Sequence, residues 1–235
     1  MKRETLTIGI IRVITTDDRG FLETHARMIS EYLQIARSPN ALEARFVTDC
    51  IEGFPEGIPN RNEEERAVPF VRKTGLHLVQ EHGVDALLVS CAADPGVEEL
   101  RREVDVPVIG AGSSGACFAR MIGSRVGVLG IDDAPPQVVG NILGDTLVGY
   151  VRPSGVKTTY DIQKHFSEYI DQAKELVESE AADVLLLACT GLSTAGIAAV
   201  LEDALKGIPV IDSVIAGGVS AFYAIRGIRL RREEQ

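Results

Sequence analysis

The 235-residue sequence contains no tryptophan, and aromatic residues make up only 5% of it. It also lacks an apolar run of the roughly 18 residues that a membrane-spanning helix needs. Basic residues are outnumbered, with 24 Lys and Arg against 34 Asp and Glu, which gives a formal net charge of −10. This acidic balance argues against nonspecific binding to nucleic acid or to an anionic membrane. A small-molecule substrate is compatible with it, because a local site can carry its own charge.

The first residues, "MKRETLTIGIIRVITTDDRG", are basic at their start but do not form a secretion signal. Arg12, Asp17 and Asp18 interrupt the apolar part, and no small-residue cleavage site follows. The segment is therefore interpreted as a first strand. The predicted compartment is the cytoplasm, where thiols stay reduced.

Cysteine is scarce: the chain has Cys50, Cys91, Cys117 and Cys189. None of them belongs to a C-x-x-C pair, and no histidine lies at a metal-ligand spacing from them. The sequence therefore predicts no metal site and no structural disulfide.

Strand-like runs alternate with helical patterns along the chain. The predicted strands are residues 6–14, 43–51, 85–90, 106–111, 125–131, 146–154, 183–189 and 208–212. Helical patterns between and after them include 21–36, 167–182, 193–207 and 213–227. Alternating strands and helices predict an α/β fold with doubly wound parallel sheets. In such sheets ligands bind beyond the carboxyl ends of the strands.

Capping signals predict where several helices begin. Asn62 with Glu65 three residues later is typical of a helix start. Asp94 followed by proline predicts an N-cap and a first helical position. Ser113 or Ser114 is predicted to open the next helix, and the Gly-Ser-Ser-Gly turn around them is a candidate anion cradle.

The chain repeats itself. Asp85, at the start of a predicted buried strand, and Cys91, at its end, recur 98 residues later as Asp183 and Cys189. The first pair is followed by "VPVIG" and the second by "IPVID". This pattern predicts an internal duplication of an α/β unit. If the halves face each other about a pseudo-twofold axis, Cys91 and Cys189 lie on opposite sides of one cleft.

Two opposed thiols suit the movement of a proton from one face of a carbon to the other. Cys50 and Cys117 are interpreted as small apolar residues, whereas Cys91 and Cys189 occupy equivalent positions where ligands bind. At a helix N-terminus the pKa of a thiol falls from about 8.5 towards neutrality, so each is expected to act as base and acid. No pattern for pyridoxal phosphate, flavin or metal is present, so no cofactor is predicted.

A nucleophilic hydrolase would instead require a histidine beside one cysteine. His25, His77, His82 and His165 all fall on predicted helices or at their ends. None follows a strand, so the sequence predicts no catalytic triad.

The phrases "SCAADPG" around Cys91 and "ACTGLST" around Cys189 resemble the aspartate/glutamate/hydantoin racemase superfamily, as do "VPVIGAGSS" and "IPVIDSVIA" after them. The resemblance spans nearly the full chain. It implies two pseudo-symmetric flavodoxin-like lobes with the active site between them. The first lobe is expected over residues 1–112, completed by 213–235, and the second over 113–212. It also implies acid/base roles for both cysteines, and a homo-oligomer is expected.

Residues near these motifs are the candidate substrate-binding groups. The resemblance implies that Thr190 and Gly191 bind substrate by hydroxyl and backbone, and that Ser113 and Ser114 lie near the cleft. Thr15 and Thr16 are candidates because they end the predicted first strand. The complete candidate set is Thr15, Thr16, Ser90, Ala92, Ala93, Ser113, Ser114, Thr190 and Gly191.

The substrate is inferred from departures within the motifs. Amino-acid racemases of this group follow the first cysteine with Asn-Thr, which holds the α-carboxylate, whereas this chain has Ala92 and Ala93. Cys-x-x-Asp-Pro-Gly is closer to hydantoin and allantoin racemases, which favours a 5-substituted hydantoin or related cyclic ureide. The alternatives are an aspartate/glutamate-type racemase, a maleate-isomerase-like enzyme, a decarboxylase and a two-lobed binding protein without catalysis. The presence of two thiols counts against the decarboxylase.

Overall fold

The computed structural model describes residues 5–35 and 43–233, and its strands form two four-stranded parallel sheets. The first sheet consists of β1 (Thr5–Arg12), β2 (Glu43–Cys50), β3 (Ala86–Ser90) and β4 (Val108–Gly110). The second consists of β5 (Val126–Leu129), β6 (Leu147–Val151), β7 (Val184–Leu187) and β8 (Val210–Asp212). We call each sheet with its helices a lobe.

Helices follow most of the strands. In chain order they are α1 (Arg19–Leu22), α2 (Thr24–Ile35), α3 (Arg61–His82), α4 (Val97–Glu103), α5 (Ala111–Ile122), α6 (Gln137–Leu143), α7 (Phe166–Glu178), α8 (Thr190–Ala195), α9 (Ile197–Ala204) and α10 (Ser213–Glu233). Short 3₁₀ segments lie at Gly144–Thr146 and Thr159–His165. Among the described helices, none is both long and apolar enough to cross a membrane.

The two sheets share one topology, which confirms the predicted α/β fold with two similar lobes. Their strand orders are β2-β1-β3-β4 and β6-β5-β7-β8. In each sheet the strand order reverses at the first strand of the lobe, which is β1 or β5. The neighbouring central strand, β3 or β7, is followed by Cys91 or Cys189 just beyond its end. This reversal is the switch point at which open α/β sheets bind ligands.

The duplication extends to individual side chains. The strands that precede the two cysteines, β3 and β7, are buried at every position, as expected of parallel strands covered on both faces. Asp85 accepts a hydrogen bond from the backbone N–H of Thr7, and Asp183 accepts one from Arg125. The repeated aspartates therefore join the starts of neighbouring strands in both lobes.

Two helices connect the lobes. α5 begins in the cluster that contains Leu6 and Ala111 and continues into the cluster of Ala116 and Val128. α10 returns to the first lobe, where Ala221 packs in the same cluster as Leu6. The predicted boundary at residues 112 and 113 thus lies inside α5, and the domain limits stay a prediction.

Three predicted helix starts are wrong. α3 is capped by Asn60, whose side chain accepts from the N–H of Glu63, and not by Asn62. α4 starts after Gly96 instead of at Pro95, and α5 starts at Ala111 instead of at Ser113 or Ser114. The starts of α4 and α5 differ from the prediction because Asp94 does not cap α4, the next helix in the chain. Its carboxylate instead accepts from the first N–H groups of α5.

Two predicted helices are interrupted. The helix predicted over 21–36 is split at Glu23, because Arg12 Nη1 donates to the carbonyl oxygens of Phe21 and Leu22, each at 2.9 Å. Residue 36 lies outside the described residues. The helix predicted over 193–207 is split at Gly196, whose φ of 77° is left-handed.

Candidate active site

A cavity of about 490 Å³ lies between the carboxyl ends of the two sheets, and it brings most of the predicted site together. Both Cys91 and Cys189 line it. The flanking candidates that also line it are Ser90, Ala92, Ala93, Thr190 and Gly191. The wall therefore combines the two cysteine segments that the duplication predicted would face one cleft.

Four candidates are not among the residues that line this cavity: Thr15, Thr16, Ser113 and Ser114. The hydroxyl of Thr15 donates to the carbonyl of Ile51 at 2.6 Å and accepts from the N–H of Phe54. The hydroxyl of Thr16 accepts from the N–H of Asp18. These bonds organise the loop after β1, and neither threonine side chain belongs to the cavity wall.

The loop of Cys91 is held in place by Asp94. Its carboxylate accepts from the N–H of Gly112 at 2.7 Å and of Ser113 at 2.8 Å, at the N-terminus of α5. A Cβ at Gly110 would overlap this carboxylate, and a Cβ at Gly112 would overlap the backbone of Ala92. The anion at the predicted Gly-Ser-Ser-Gly cradle is therefore the protein's own Asp94, which corrects the expectation of a substrate site there.

Cys189 is held differently, because it is itself the N-cap residue of α8. Its backbone is extended, and the backbone N–H groups of Gly191 and Leu192 lower the pKa of the thiol. Only one such group, the N–H of Ala93, acts on Cys91. The prediction that each thiol lies at a helix N-terminus is thus correct for Cys189 and wrong for Cys91.

The predicted fall of the thiol pKa values is also wrong. Burial raises the pKa of Cys189 to about 11, more than its two N–H partners lower it. Burial raises the pKa of Cys91 further, and a negative charge on Cys189 adds to this increase. Ionisation of Cys189 therefore opposes ionisation of Cys91.

Four charged residues line the cavity and were not predicted as site residues: Arg12, Arg61, Glu64 and Asp132. Arg12, at the end of β1, is only 3% exposed; burial lowers its pKa to about 10, so it stays charged at neutral pH. Its guanidinium lies 4.8 Å from the ring centre of Phe21. Glu64 of α3 has its pKa raised, mainly by burial. Neither Arg12 nor Glu64 stands in a motif, so only the fold identifies them.

A further missed residue, His25, lies within hydrogen-bond distance of Ser90, which precedes Cys91, and of Thr194, which lies in the helix that begins after Cys189. It is fully buried, with Nδ1 2.7 Å from Ser90 Oγ and Nε2 2.8 Å from Thr194 Oγ1. His25 was not predicted as a site residue because it falls on a predicted helix and does not follow a strand. A signal was present, since His25 lies three residues from Leu22 and four from Ile29, on the apolar face of the helix.

The remaining wall is largely apolar. It includes Val13, Ile14, Phe21, Ile58, Ile131, Tyr150 and Tyr160. Among the described residues, no group of three or more His, Cys, Asp or Glu side chains is arranged to hold a metal ion. The site can thus enclose an apolar substituent while two thiols act on the carbon that bears it.

Comparisons with known proteins identify the family of the chain. The Asp/Glu/Hydantoin racemase family model matches residues 22–221. A hydantoin racemase from Pseudomonas sp. (strain NS671) is 30% identical over 77% of this chain and 74% of that relative. The structure of the allantoin racemase from Klebsiella pneumoniae superposes with a TM-score of 0.73 at 17% identity, covering 94% of this chain and 88% of that one.

A more distant structure shows the same fold. The glutamate racemase from Thermus thermophilus superposes with a TM-score of 0.60 at 18% identity, covering 96% of this chain and 82% of that one. Likenesses at this identity establish the architecture, whereas the family match spans most of the sequence. The chain therefore belongs to the Asp/Glu/hydantoin racemase family, and its enzyme class is that of the racemases.

Proposed function

We propose that the protein racemises a 5-substituted hydantoin or a related cyclic ureide, using Cys91 and Cys189 as a cofactor-independent acid/base pair. One observation carries the proposal: both cysteines line one cavity, each just beyond a central strand of its own lobe. Two groups that approach from opposite sheets are suited to opposite faces of one carbon.

The proposed reaction exchanges one proton for another. The thiolate of one cysteine removes the proton from C5 of the ring, and the electron pair of the C–H bond moves onto the adjacent carbonyl. The thiol of the other cysteine then donates its proton to the opposite face of C5. The product is the mirror-image ring, and the two cysteines have exchanged protonation states.

The electrostatics of the pair favour this division of labour. Because a charge on Cys189 raises the pKa of Cys91, one thiolate beside one thiol is favoured over two thiolates. A singly ionised pair provides one base and one acid, as inversion requires. The thiol pKa values are raised, so only a small fraction of enzyme carries the thiolate at neutral pH.

Three features support a cyclic ureide as the substrate. Ala92 and Ala93 carry no side-chain donor that could hold an α-carboxylate. The apolar residues of the wall suit the 5-substituent of a hydantoin. The hydantoin racemase that is 30% identical to this chain acts, by its name, on such a ring.

A deuterium-exchange screen tests the proposal. The purified protein is incubated in D₂O with single enantiomers of 5-benzylhydantoin, 5-isopropylhydantoin, allantoin, aspartate and glutamate, and with maleate. Chiral chromatography and mass spectrometry follow inversion and deuterium incorporation. Enzyme-free samples and the Cys91→Ser/Cys189→Ser double variant measure the background.

We expect inversion with deuterium in the product for at least one hydantoin, well above both backgrounds. Turnover of aspartate, glutamate or maleate alone would replace the proposed substrate with one of the alternatives. No turnover of any compound, with thiols that iodoacetamide leaves unmodified up to pH 10, would favour a binding protein. Homo-oligomeric assembly and a cytoplasmic location stay predictions, the first testable by light scattering after size exclusion.

A further inference from the structure

A closed ring of hydrogen bonds lies beside the two cysteines and joins the lobes. Ser90 immediately precedes Cys91, and Thr190 immediately follows Cys189. The hydroxyl of Thr190 donates to the backbone carbonyl of Ser90 at 3.3 Å. The rest of the ring passes through Thr194 and His25, which has no place in the proton transfer itself.

The direction of each bond follows from the donors available. Thr194 uses its single hydroxyl proton on the carbonyl of Thr190, at 3.1 Å, so its oxygen must accept from His25 Nε2. A hydrogen bond to the Thr190 backbone also raises the pKa of His25, which agrees with His25 as the donor on this side. Nδ1 is then the acceptor, and the hydroxyl of Ser90 donates to it.

The imidazole is suited to a fixed, neutral role. Burial and the charge of Arg12 lower the pKa of His25 well below its usual range, so it stays neutral at working pH. A neutral imidazole has one donor and one acceptor, and here each has one hydroxyl partner. The ring of bonds is therefore satisfied in only one tautomer, which fixes the orientation of the side chain.

We propose that His25 is a positioning residue that sets the separation and alignment of Cys91 and Cys189, by bridging Ser90 of the first lobe to Thr194 of the second. This inference deepens the proposed racemase function and rests on it for its kinetic consequences. The bridge ties Ser90, which precedes Cys91, to α8, which begins after Cys189, so its loss displaces one thiol relative to the other without removing either. Proton removal and proton return then become uncoupled.

The kinetic test compares His25→Leu with wild type, using single enantiomers of 5-benzylhydantoin in D₂O. A displaced acid protonates the carbanion poorly, so the carbanion lives longer. The base that took the C5 proton then has time to exchange it with D₂O and to return deuterium to the same face. We expect kcat to fall roughly 10- to 100-fold with KM changed less than threefold. The ratio of deuterium exchange with retention to inversion should rise at least threefold.

Matched variants separate positioning from general damage. His25→Gln carries an amide that can reach the Nε2 position, so it should recover part of kcat and of the exchange ratio. Ser90→Ala and Thr194→Val each remove one bond of the ring and should move the exchange ratio in the same direction. His77→Leu makes the same substitution at an exposed position of α3 and should leave both quantities unchanged.

A second measurement does not depend on turnover. In a Cys50→Ala/Cys117→Ala background, dibromobimane, which alkylates two neighbouring thiols, is reacted with the protein. Mass spectrometry gives the ratio of the bridged Cys91–Cys189 product to singly alkylated protein, which should fall at least threefold in His25→Leu. This result would support the positioning role even if no hydantoin is racemised.

Two results would overturn the inference. One is a loss of kcat in folded His25→Leu with an unchanged exchange ratio. The other is an unchanged bridging ratio in that variant. Circular dichroism and thermal unfolding show whether the variants fold. If His25→Leu does not fold, the exchange ratio and the bridging ratio are measured in Ser90→Ala and Thr194→Val instead, and the same two results there would overturn the inference.

Discussion

Each lobe has a buried carboxylate at the end of its last strand, β4 or β8, but the carboxylate comes from a different residue in each. In the second lobe, Asp212 at the end of β8 accepts from the N–H of Val214 at 2.8 Å and from the hydroxyl of Ser193. In the first lobe the position 102 residues earlier is Gly110, and the carboxylate of Asp94 occupies the space that a Cβ there would need.

This exchange makes the two cysteines unequal. With its carboxylate on β8, the second lobe leaves Cys189 free to be the N-cap of α8, where two N–H groups act on its sulfur. With its carboxylate in the cysteine loop, the first lobe delays α4 until Val97 and leaves one N–H for Cys91. A duplicated strand and thiol thus give two different acids, because the capping of the next helix differs.

The largest expected effect comes from removing either thiol. Cys91→Ser and Cys189→Ser should each reduce racemisation by about 10²–10⁴-fold, the usual contribution of one acid/base group. Each single variant should retain exchange of the C5 proton for only one enantiomer, and the two variants should retain opposite ones. Chiral analysis of deuterated product measures this, with Cys50→Ala and Cys117→Ala as controls. A single variant that racemises at the wild-type rate would refute the two-thiol mechanism.

The second prediction concerns pH and sharpens the inequality of the thiols. Because burial raises the pKa of Cys189 to about 11, the thiolate is scarce at pH 7 and increases with pH. We expect kcat/KM to rise about tenfold per pH unit between pH 7 and 9, since each unit below a pKa changes the ionised fraction tenfold.

The rate of iodoacetamide labelling should level off at a lower pH for Cys189 than for Cys91, because the pKa of Cys91 is the higher. The pH profiles are compared and not the absolute rates, because Cys91 is the more exposed of the two thiols. Peptide mapping of the labelled enzyme measures the two rates. Labelling rates with the same pH profile, or a kcat/KM that is flat between pH 7 and 9, would contradict the ordering.

The third prediction moves the carboxylate of the first lobe to its position in the second. Gly110→Asp alone overfills the space beside Asp94 and should cost about 1–3 kcal/mol of unfolding free energy. The double variant Gly110→Asp/Asp94→Gly removes the overlap, and glycine suits the φ of 54° at position 94.

The double variant should therefore be more stable than the sum of the single variants predicts, by about 0.5–3 kcal/mol. Urea unfolding of the four proteins measures this coupling. Gly140→Asp is the control, since a Cβ there meets no atom within 4 Å. Additive losses would show that the two carboxylate positions are not equivalent.

The smallest effect is expected at the bond that joins the lobes at Ser90. Thr190→Val removes a single hydroxyl donor, whose bond at 3.3 Å is long, and should lower the unfolding free energy by about 0.5–1.5 kcal/mol. Thr190→Ser keeps the donor and should lose less than Thr190→Val in the same urea titration. If serine and valine destabilise equally, the hydroxyl makes no useful bond to the first lobe.

Much of the site could be predicted from the sequence because it depends on local pattern and repetition. The apolar runs before Cys91 and Cys189 predict buried parallel strands, and the carboxyl ends of such strands meet where ligands bind. Thr15 and Thr16 were included on weaker grounds, since a polar residue after a strand can equally bond to a neighbouring loop. Their bonds to Ile51 and Asp18 show that they do so here.

His25, Arg12 and the true role of Asp94 could not be predicted, because their partners are distant in sequence. Asp94 caps a helix 18 residues away, and His25 contacts a hydroxyl 169 residues away. Capping rules consider only the next turn of the chain, so they assigned Asp94 to α4. A hydrophobic pattern places His25 on the buried face of α2 but does not say what it meets there.

By itself the sequence determined the order of strands and helices, the duplication and the pair of thiols at equivalent strand ends, because these depend on side-chain periodicity and local turn chemistry. Only the tertiary structure decided how acidic those thiols are and what holds them together. Burial raises the thiol pKa values against the local effect of the helix N-terminus, and burial is a property of all the chain packed around a residue. The ring through His25 likewise exists only where the two lobes meet.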